Sequence, residues 1–296
     1  MSKVKVAAVQ MSMCADKNTN IDTAERLVRK AAEQGANIIL LPELFENLYF
    51  CQERNYDYYA LASTVEENSA IKRFKDVAKE LDVVIPVSFY EKCMNTTYNT
   101  VAVIDADGEV LGIYRKTHIP DDHFYQEKFY FTPGDTGFKV WDTKYGRIGV
   151  GICWDQWFPE TARCMALMGA DILFYPTAIG SEPILEVDSM PHWRRCMQGH
   201  SASNIVPVVA ANRVGTETVT PSESNNNQSS SLCFYGSSFI TDETGEVVVS
   251  ADRESECVIV SEFDLEQIKE MRMSWGLFRD RRPETYGIIS SPNKNY

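Results

Sequence analysis

The chain has 296 residues, of which 44% are hydrophobic, and its formal net charge is −13 at pH 7. This length and composition are typical of a globular protein with a sizeable hydrophobic core. The acidic balance argues against binding to nucleic acid or to an anionic membrane surface, and no apolar run approaches the ~20 residues that a membrane-spanning helix needs.

The beginning of the sequence and its cysteines bear on the cellular compartment. The sequence starts with Met-Ser-Lys-Val-Lys and enters a short β-like segment at once, so we expect no secretory signal. Its eight cysteines contain no Cys-x-x-Cys pair, and its four histidines form no metal-ligand pattern with them. We therefore expect a cytoplasmic protein with reduced cysteines and without a metal site.

The first half of the chain predicts strands that alternate with helices. Val4–Gln10 has the pattern of a strand, and apolar residues at helical spacing follow it until Gly35. The segment 36–42 is a second, strongly apolar strand that ends in proline. Segment 83–87 is a further buried-strand candidate, and 104–111 has the pattern of a hairpin that turns at Asp-Gly.

The second half repeats this order. Arg147–Cys153 has the pattern of a strand, and a helix follows with Pro159 near its first turn and Gly169 at its end. The apolar segment 170–176 again ends in proline, 134 residues after its counterpart, and 240–248 repeats the hairpin. Segment 204–209 is another buried-strand candidate.

Two similar halves of this kind suggest how the uncovered sheet faces of both are buried. Each half has strands that helices cover on one side only, so two facing sheets with helices outside would give a four-layer α-β-β-α sandwich. We expect residues 1–296 to form a single α/β domain. Thr216–Ser231 is rich in Ser, Thr and Asn, which predicts a long exposed loop. A short helix capped by Asp264 precedes a tail, 275–296, that has no helical or strand period.

Three short phrases place one reactive side chain each at or near a predicted strand end. Gly-Ile-Cys-Trp-Asp carries Cys153 at a strand-to-helix turn, where main-chain N–H groups are free to hold an oxyanion. Leu-Leu-Pro-Glu-Leu carries Glu43, whose apolar surroundings favour a general base. Tyr-Arg-Lys-Thr-His carries Lys116, a compact cation suited to an oxyanion or a thiolate.

Together these phrases resemble the nitrilase superfamily of carbon–nitrogen hydrolases, from about Val4 to Gly287. The resemblance implies the four-layer fold and a Glu43, Lys116 and Cys153 triad that hydrolyses a carbon–nitrogen bond through a thioester, without a metal or organic cofactor. It also implies that Glu127, which precedes the Phe-Thr-Pro-Gly-Asp-Thr-Gly-Phe segment, orients the lysine. Homo-oligomers built from dimers, with the tail docked on a neighbouring subunit, are implied as well.

The phrase after the cysteine bears on the branch of the family. True nitrilases generally continue with Trp-Glu, whereas this chain has Trp-Asp, which favours an amidase or carbamoylase. The phrases at 42–52, 118–122 and 175–183 resemble those of amidases of the polyamine pathway, which implies an amine-ended ureido substrate. Such a substrate needs an acid opposite the thiol and an apolar wall between the two ends. The candidates are Glu182, Asp121 and Asp122 for the ammonium group, and Tyr49 and Trp154 for the aliphatic chain.

Two alternatives stay open at this point. A β-ureidopropionase or an ω-amidase would have the same triad, but its carboxylate-ended substrate would require Arg or Lys in place of the acid. A non-catalytic interaction protein on the same scaffold is a different class, and the intact triad argues against it.

Overall fold

The computed structural model describes residues 3–183 and 186–291, within which lie five α-helices and fourteen strands. The helices are α1 Lys17–Glu33, α2 Ser69–Leu81, α3 Pro159–Leu167, α4 Met190–Asn204 and α5 Leu265–Trp275. The strands are β1 Lys3–Gln10, β2 Ile38–Leu40, β3 Ile85–Cys93, β4 Thr96–Ile104, β5 Val110–Arg115, β6 Val140–Thr143, β7 Gly146–Val150, β8 Ile172–Pro176, β9 Val208–Ala211, β10 Val214–Val219, β11 Ser230–Tyr235, β12 Phe239–Thr241, β13 Val247–Ser250 and β14 Cys257–Asp264.

Twelve of these strands form two arrangements with the same topology. The first has the order β14-β1-β2-β3-β4-β5, in which a parallel bridge between Ile38 and Val84 connects its two three-stranded groups. The second is a continuous sheet of order β6-β7-β8-β9-β12-β13. In both, the successive pairings are antiparallel, parallel, parallel, antiparallel and antiparallel. The repeat seen in the sequence is therefore a repeat of topology.

Three apolar clusters define four layers. The central cluster joins side chains of both sheets, such as Val6 and Leu40 of the first and Val150 and Phe174 of the second. A second cluster lies between α1, α2 and the outer face of the first sheet, and a third lies between α3, α4 and the second sheet. The α-β-β-α sandwich expected from the sequence is confirmed.

Asp264 and Pro159 lie at the starts of helices, as the sequence predicted. Asp264 accepts hydrogen bonds from the main-chain N–H groups of Glu266 and Gln267 at 3.1 and 3.3 Å, which caps α5. Pro159 occupies the first turn of α3, where its missing N–H costs nothing.

The segment Thr216–Ser231 differs from the expected long loop. Its two ends are paired in the β10–β11 ribbon, with Glu217 opposite Leu232, and only the tip between the strands is a turn. The prediction was wrong for these paired ends, where Glu217 is buried against Arg213, which immediately precedes β10, and Leu232 is fully buried. Residues 220–229 lie outside the strands and are mostly exposed, as expected.

The tail after α5 lies on the surface as far as the structure describes it. It makes two short 3₁₀ turns, Pro283–Thr285 and Gly287–Ser290, and leaves large apolar side chains exposed. All eight cysteines are free. Among the described residues, no helix has the length and apolar character to cross a bilayer.

Candidate active site

Cys153 lies on a tight turn at the carboxyl end of the second sheet. Strand β7 ends at Val150, and Cys153 begins a 3₁₀ turn, 153–157, that leads into α3. The cysteine has φ +42°, a left-handed conformation that is rare for a residue with a side chain. A Cβ on Gly151, the residue after β7, would lie 2.8 Å from the Tyr175 side chain, so this glycine admits the close approach of a neighbouring side chain.

The carboxylate of Asp155 holds this turn together. Its Oδ2 accepts the main-chain N–H of Ile152 at 2.9 Å and the Tyr114 hydroxyl at 2.7 Å. Its Oδ1 accepts the main-chain N–H of His118 at 3.0 Å and lies 2.7 Å from the imidazole Nδ1. Because His118 is two residues after Lys116, one buried carboxylate joins the backbone of the cysteine turn to that of the lysine segment.

Glu43 follows β2 and is fully buried, as its apolar strand predicted. Its Oε1 accepts hydrogen bonds from Asn99 at 2.6 Å and from the Lys116 ammonium at 2.8 Å. Its Oε2 has no hydrogen-bond partner within the described residues. One carboxylate oxygen is thus anchored, and the other is free to exchange a proton.

Lys116 lies between two carboxylates. Its Nζ donates to Glu43 and, at 2.6 Å, to Oε2 of Glu127, and all three side chains are fully buried. Burial by itself would lower the pKa of Lys116, but the charges of Glu127 and Glu43 outweigh it and hold that pKa well above its usual value. Burial also raises the pKa of Glu127 to about 7. Lys116 is therefore a permanent buried cation.

The thiol of Cys153 is protonated at rest. Burial and then the neighbouring Glu43 carboxylate raise the pKa of Cys153, and these effects exceed the opposing effect of Lys116. A stable thiolate held by the lysine, which the sequence suggested, is therefore not the resting state. Attack by Cys153 needs a base at the moment of reaction, and the unpartnered oxygen of Glu43 is such a base.

A cavity of about 360 Å³ lies over Cys153 and Glu127. The three acids expected at its rim, Asp121, Asp122 and Glu182, all line it. Glu182 is half-buried, whereas both aspartates are exposed. Burial and the adjacent Asp122 raise the pKa of Glu182. None of the three acids has an ion-pair partner within residues 3–183 and 186–291.

The two aromatic candidates have different positions. Trp154 lines the cavity and is 39% exposed, as expected for a wall residue at its mouth. Tyr49 does not line this cavity: it is buried, and its hydroxyl donates to Oε1 of Glu127 at 2.7 Å. The expectation for Tyr49 was wrong because its polar end meets a buried carboxylate, which is a better partner than an aliphatic chain.

The sequence of the chain matches the family model described as carbon-nitrogen hydrolase over residues 5–273. The chain belongs to the carbon–nitrogen hydrolase family. The resemblance to the nitrilase superfamily is thereby confirmed.

Relatives within the carbon–nitrogen hydrolases cover almost the whole chain. An N-carbamoylputrescine amidase from Oryza sativa is 57% identical over 97% of this chain and 95% of its own length. A citrullinase from Francisella tularensis is 52% identical over 98% of this chain and 99% of its own. The crystal structure of a carbon-nitrogen hydrolase from Helicobacter pylori superposes with a TM-score of 0.90 at 35% identity, covering 99% of this chain and 100% of the other.

Several polar residues of this carbon–nitrogen hydrolase site were not singled out from the sequence. Asp155 lies two residues after the cysteine, and this proximity in sequence could have marked it as a site residue. Tyr125, whose hydroxyl accepts the main-chain N–H of Gly180 at 3.1 Å, lines the cavity without any local signature. Arg213 is fully buried directly after β9. A charged residue that ends an apolar strand is the signal that already identified Glu43.

Proposed function

We propose that this protein hydrolyses N-carbamoylputrescine to putrescine, carbon dioxide and ammonia, a step in polyamine biosynthesis. The observation that carries the proposal is the distribution of charge in the cavity, where three acids without ion-pair partners among the described residues share the lining with the Cys153 thiol and with Glu127, the partner of Lys116. The described residues that line the cavity include no Arg or Lys. The plant amidases, at 55–57% identity, support the same assignment.

The first half of the reaction forms a covalent intermediate. The Cys153 sulfur attacks the ureido carbon while its proton passes to the free oxygen of Glu43. The carbonyl oxygen becomes an oxyanion, which Lys116 and the N–H groups of the cysteine turn stabilise. When the tetrahedral intermediate collapses, one carbon–nitrogen bond breaks, and Glu43 returns its proton to the departing nitrogen. A thiocarbamate ester of Cys153 remains.

The second half uses water in the same way. Glu43 takes a proton from the water molecule that attacks the thiocarbamate carbon, and the carbon–sulfur bond then breaks. The proton returns to the sulfur, which restores the thiol. The carbamic acid that is released decomposes to carbon dioxide and the remaining amine. Glu127 and Tyr49 keep Lys116 in place throughout.

The rim acids account for the other end of the substrate. Asp122 is near enough for its charge to raise the pKa of Glu182. An ammonium group between these two acids would relieve their repulsion. N-Carbamoyl-β-alanine carries a carboxylate in place of the ammonium, and citrulline carries a carboxylate beside its ammonium, so in both compounds the carboxylate would meet like charge there. Ammonia release from carbamoylputrescine, citrulline, carbamoyl-β-alanine and an ω-amide tests the assignment. A higher kcat/KM for citrulline or for either carboxylate-ended compound would contradict it.

Replacement of Glu182 by glutamine is expected to raise KM for carbamoylputrescine about tenfold to a hundredfold. A carboxylate that faces an alkylammonium contributes roughly 1.5–3 kcal/mol, and the amide keeps the shape without the charge. N-Pentylurea has a methyl group in place of the ammonium, so its KM should change little. Glu186→Gln is the matched control, because Glu186 belongs to the same loop but does not line the cavity.

The charge of Glu182 also predicts how KM for carbamoylputrescine depends on pH. The pKa of Glu182 is raised, so its charge is complete at higher pH and is lost as the pH falls through that raised value. KM for carbamoylputrescine should therefore rise on acidification in the parent enzyme but much less in Glu182→Gln. If Glu182→Gln raises KM for carbamoylputrescine and for N-pentylurea equally, Glu182 shapes the loop rather than contacting the ammonium group. Asp121 and Asp122 are then tested next.

We also propose a homo-oligomer built from dimers, in which the tail docks on a neighbouring subunit. Trp275, Ile288 and Ile289 are 67%, 50% and 66% exposed in the single chain, so the C-terminal segment offers large apolar side chains that a partner could cover. Deleting the residues after Met273 should lower the mass measured by light scattering or make the protein insoluble. A soluble assembly of unchanged mass and unchanged melting temperature would contradict the proposal.

A further inference from the structure

Arg213 is a buried cation next to the active site. The reaction described above assigns no step to it. It follows β9, is fully buried, and forms an ion pair with Oε1 of Glu217 at 2.9 Å. Burying a guanidinium is costly unless its N–H groups are satisfied. The residues that satisfy them indicate what this arginine holds in place.

Most of its hydrogen bonds go to main-chain carbonyls of the segment that carries Glu43. Nη2 donates to the carbonyls of Glu43 and Leu44 at 3.0 and 2.7 Å, and Nε donates to that of Glu43 at 3.3 Å. Nη1 donates to the carbonyl of Asn47 at 3.0 Å. Leu44 has φ +49°, so the residue after the base has a left-handed backbone that needs support from its surroundings.

The position of the Glu43 carboxylate depends on this backbone. The main-chain N–H of Glu43 donates to Thr177 at 3.3 Å, and that of Leu44 donates to the Ser88 hydroxyl at 3.0 Å. With the carbonyls held by Arg213, the peptide groups on both sides of Glu43 are fixed. A planar guanidinium reaches several carbonyls at once, which an ammonium on a flexible chain does not.

The ion pair extends the same support to the second carboxylate. Oε2 of Glu217 accepts the main-chain N–H of Tyr49 at 2.5 Å, and the Tyr49 hydroxyl donates to Glu127. Arg213 and Glu217 therefore connect the β10–β11 ribbon to both carboxylates that flank Lys116.

We propose that Arg213 is a positioning residue for the general base: its carbonyl contacts set the backbone of Glu43 and thereby aim the free carboxylate oxygen at the thiol. The proposal rests on the hydrolase chemistry above, but not on the identity of the substrate. If the parent enzyme does not hydrolyse carbamoylputrescine, the proposed function fails, whereas Arg213 is still tested on any amide or ureide that the enzyme turns over.

The test is a double-mutant cycle between Arg213→Lys and Glu43→Gln, with kcat measured by ammonia release. Misplacing a catalytic group by about 1 Å can cost on the order of 10²-fold, so we expect Arg213→Lys to lower kcat by tens to a hundredfold. In the Glu43→Gln background the same change should lower kcat less than about threefold, because the base is already lost. Substrate affinity, measured in the Cys153→Ala background, should change less than about twofold.

Arg272→Lys is the matched control. Arg272 is a half-buried arginine whose guanidinium also donates to main-chain carbonyls, those of Ile205 and Ala170, but these lie away from the cavity. It should lower the melting temperature without lowering kcat. If Arg213→Lys does not fold, Glu217→Gln, which removes the charge on the partner, is used in the same cycle.

Two results would overturn the proposal. One is an equal loss of kcat with and without Glu43, which would mean that Arg213 acts on something else. The other is a loss of substrate affinity as large as the loss of kcat, which would mean a general deformation of the site.

Discussion

Replacement of Cys153 by alanine is expected to lower kcat for carbamoylputrescine by more than about 10⁴-fold, because no covalent intermediate can then form. The fold should persist. The Sγ atom makes only a weak hydrogen bond, 3.8 Å from the carbonyl oxygen of Ala178, and the turn is held by the Asp155 carboxylate rather than by the thiol. Ammonia release and thermal melting measure the two effects separately.

A second cysteine provides the control for this result. Cys164 is partly buried, in the helix that follows the cysteine turn, and burial raises its pKa as it does that of Cys153. Cys164→Ala should keep kcat close to that of the parent enzyme. Activity of Cys153→Ala within about tenfold of the parent would exclude the thioester mechanism.

Replacement of Glu43 by glutamine is expected to lower kcat by about 10²–10⁴-fold, the usual contribution of a general base. The amide oxygen still accepts hydrogen bonds from Asn99 and Lys116, so the site keeps its shape, but the amide nitrogen cannot take the proton of a buried thiol. KM should change little, because Glu43 is not among the residues that line the cavity with the rim acids. Steady-state ammonia release over a range of substrate concentrations separates kcat from KM.

Glu46 is a control in the same segment. It is buried as well, but it pairs with Lys17 at 2.8 Å and accepts from Asn68 at 2.9 Å, away from the thiol. Glu46→Gln should lower the melting temperature and leave kcat within a fewfold of the parent. If Glu43→Gln keeps kcat within tenfold of the parent, the base lies elsewhere, and Glu127, with its pKa raised to about 7, is the next candidate.

The location of the three central side chains could be predicted from local sequence. Glu43, Lys116 and Cys153 each lie within three residues of the end of a strand, and the two halves of the chain repeat each other in sequence as in topology. Strand ends that occupy equivalent positions in two facing sheets meet at the same edge. The main-chain N–H of Glu43 accordingly donates to Thr177, which follows the equivalent strand of the other half.

The partners of those side chains were decided by the tertiary structure. Arg213 contacts residues 166–170 positions away, and Tyr49 contacts Glu127 across 78 positions. Hydrophobic periodicity reports which face of an element is buried, but not which polar groups meet there. For the same reason the sequence alone could predict which side chains belong to the site, including the triad and the three acids, but not their partners. Only the folded chain determined that Tyr49 supports a carboxylate, that the thiol is protonated, and that Glu182 is the least exposed of the three acids. Each of these properties depends on burial and on neighbours that are distant along the chain.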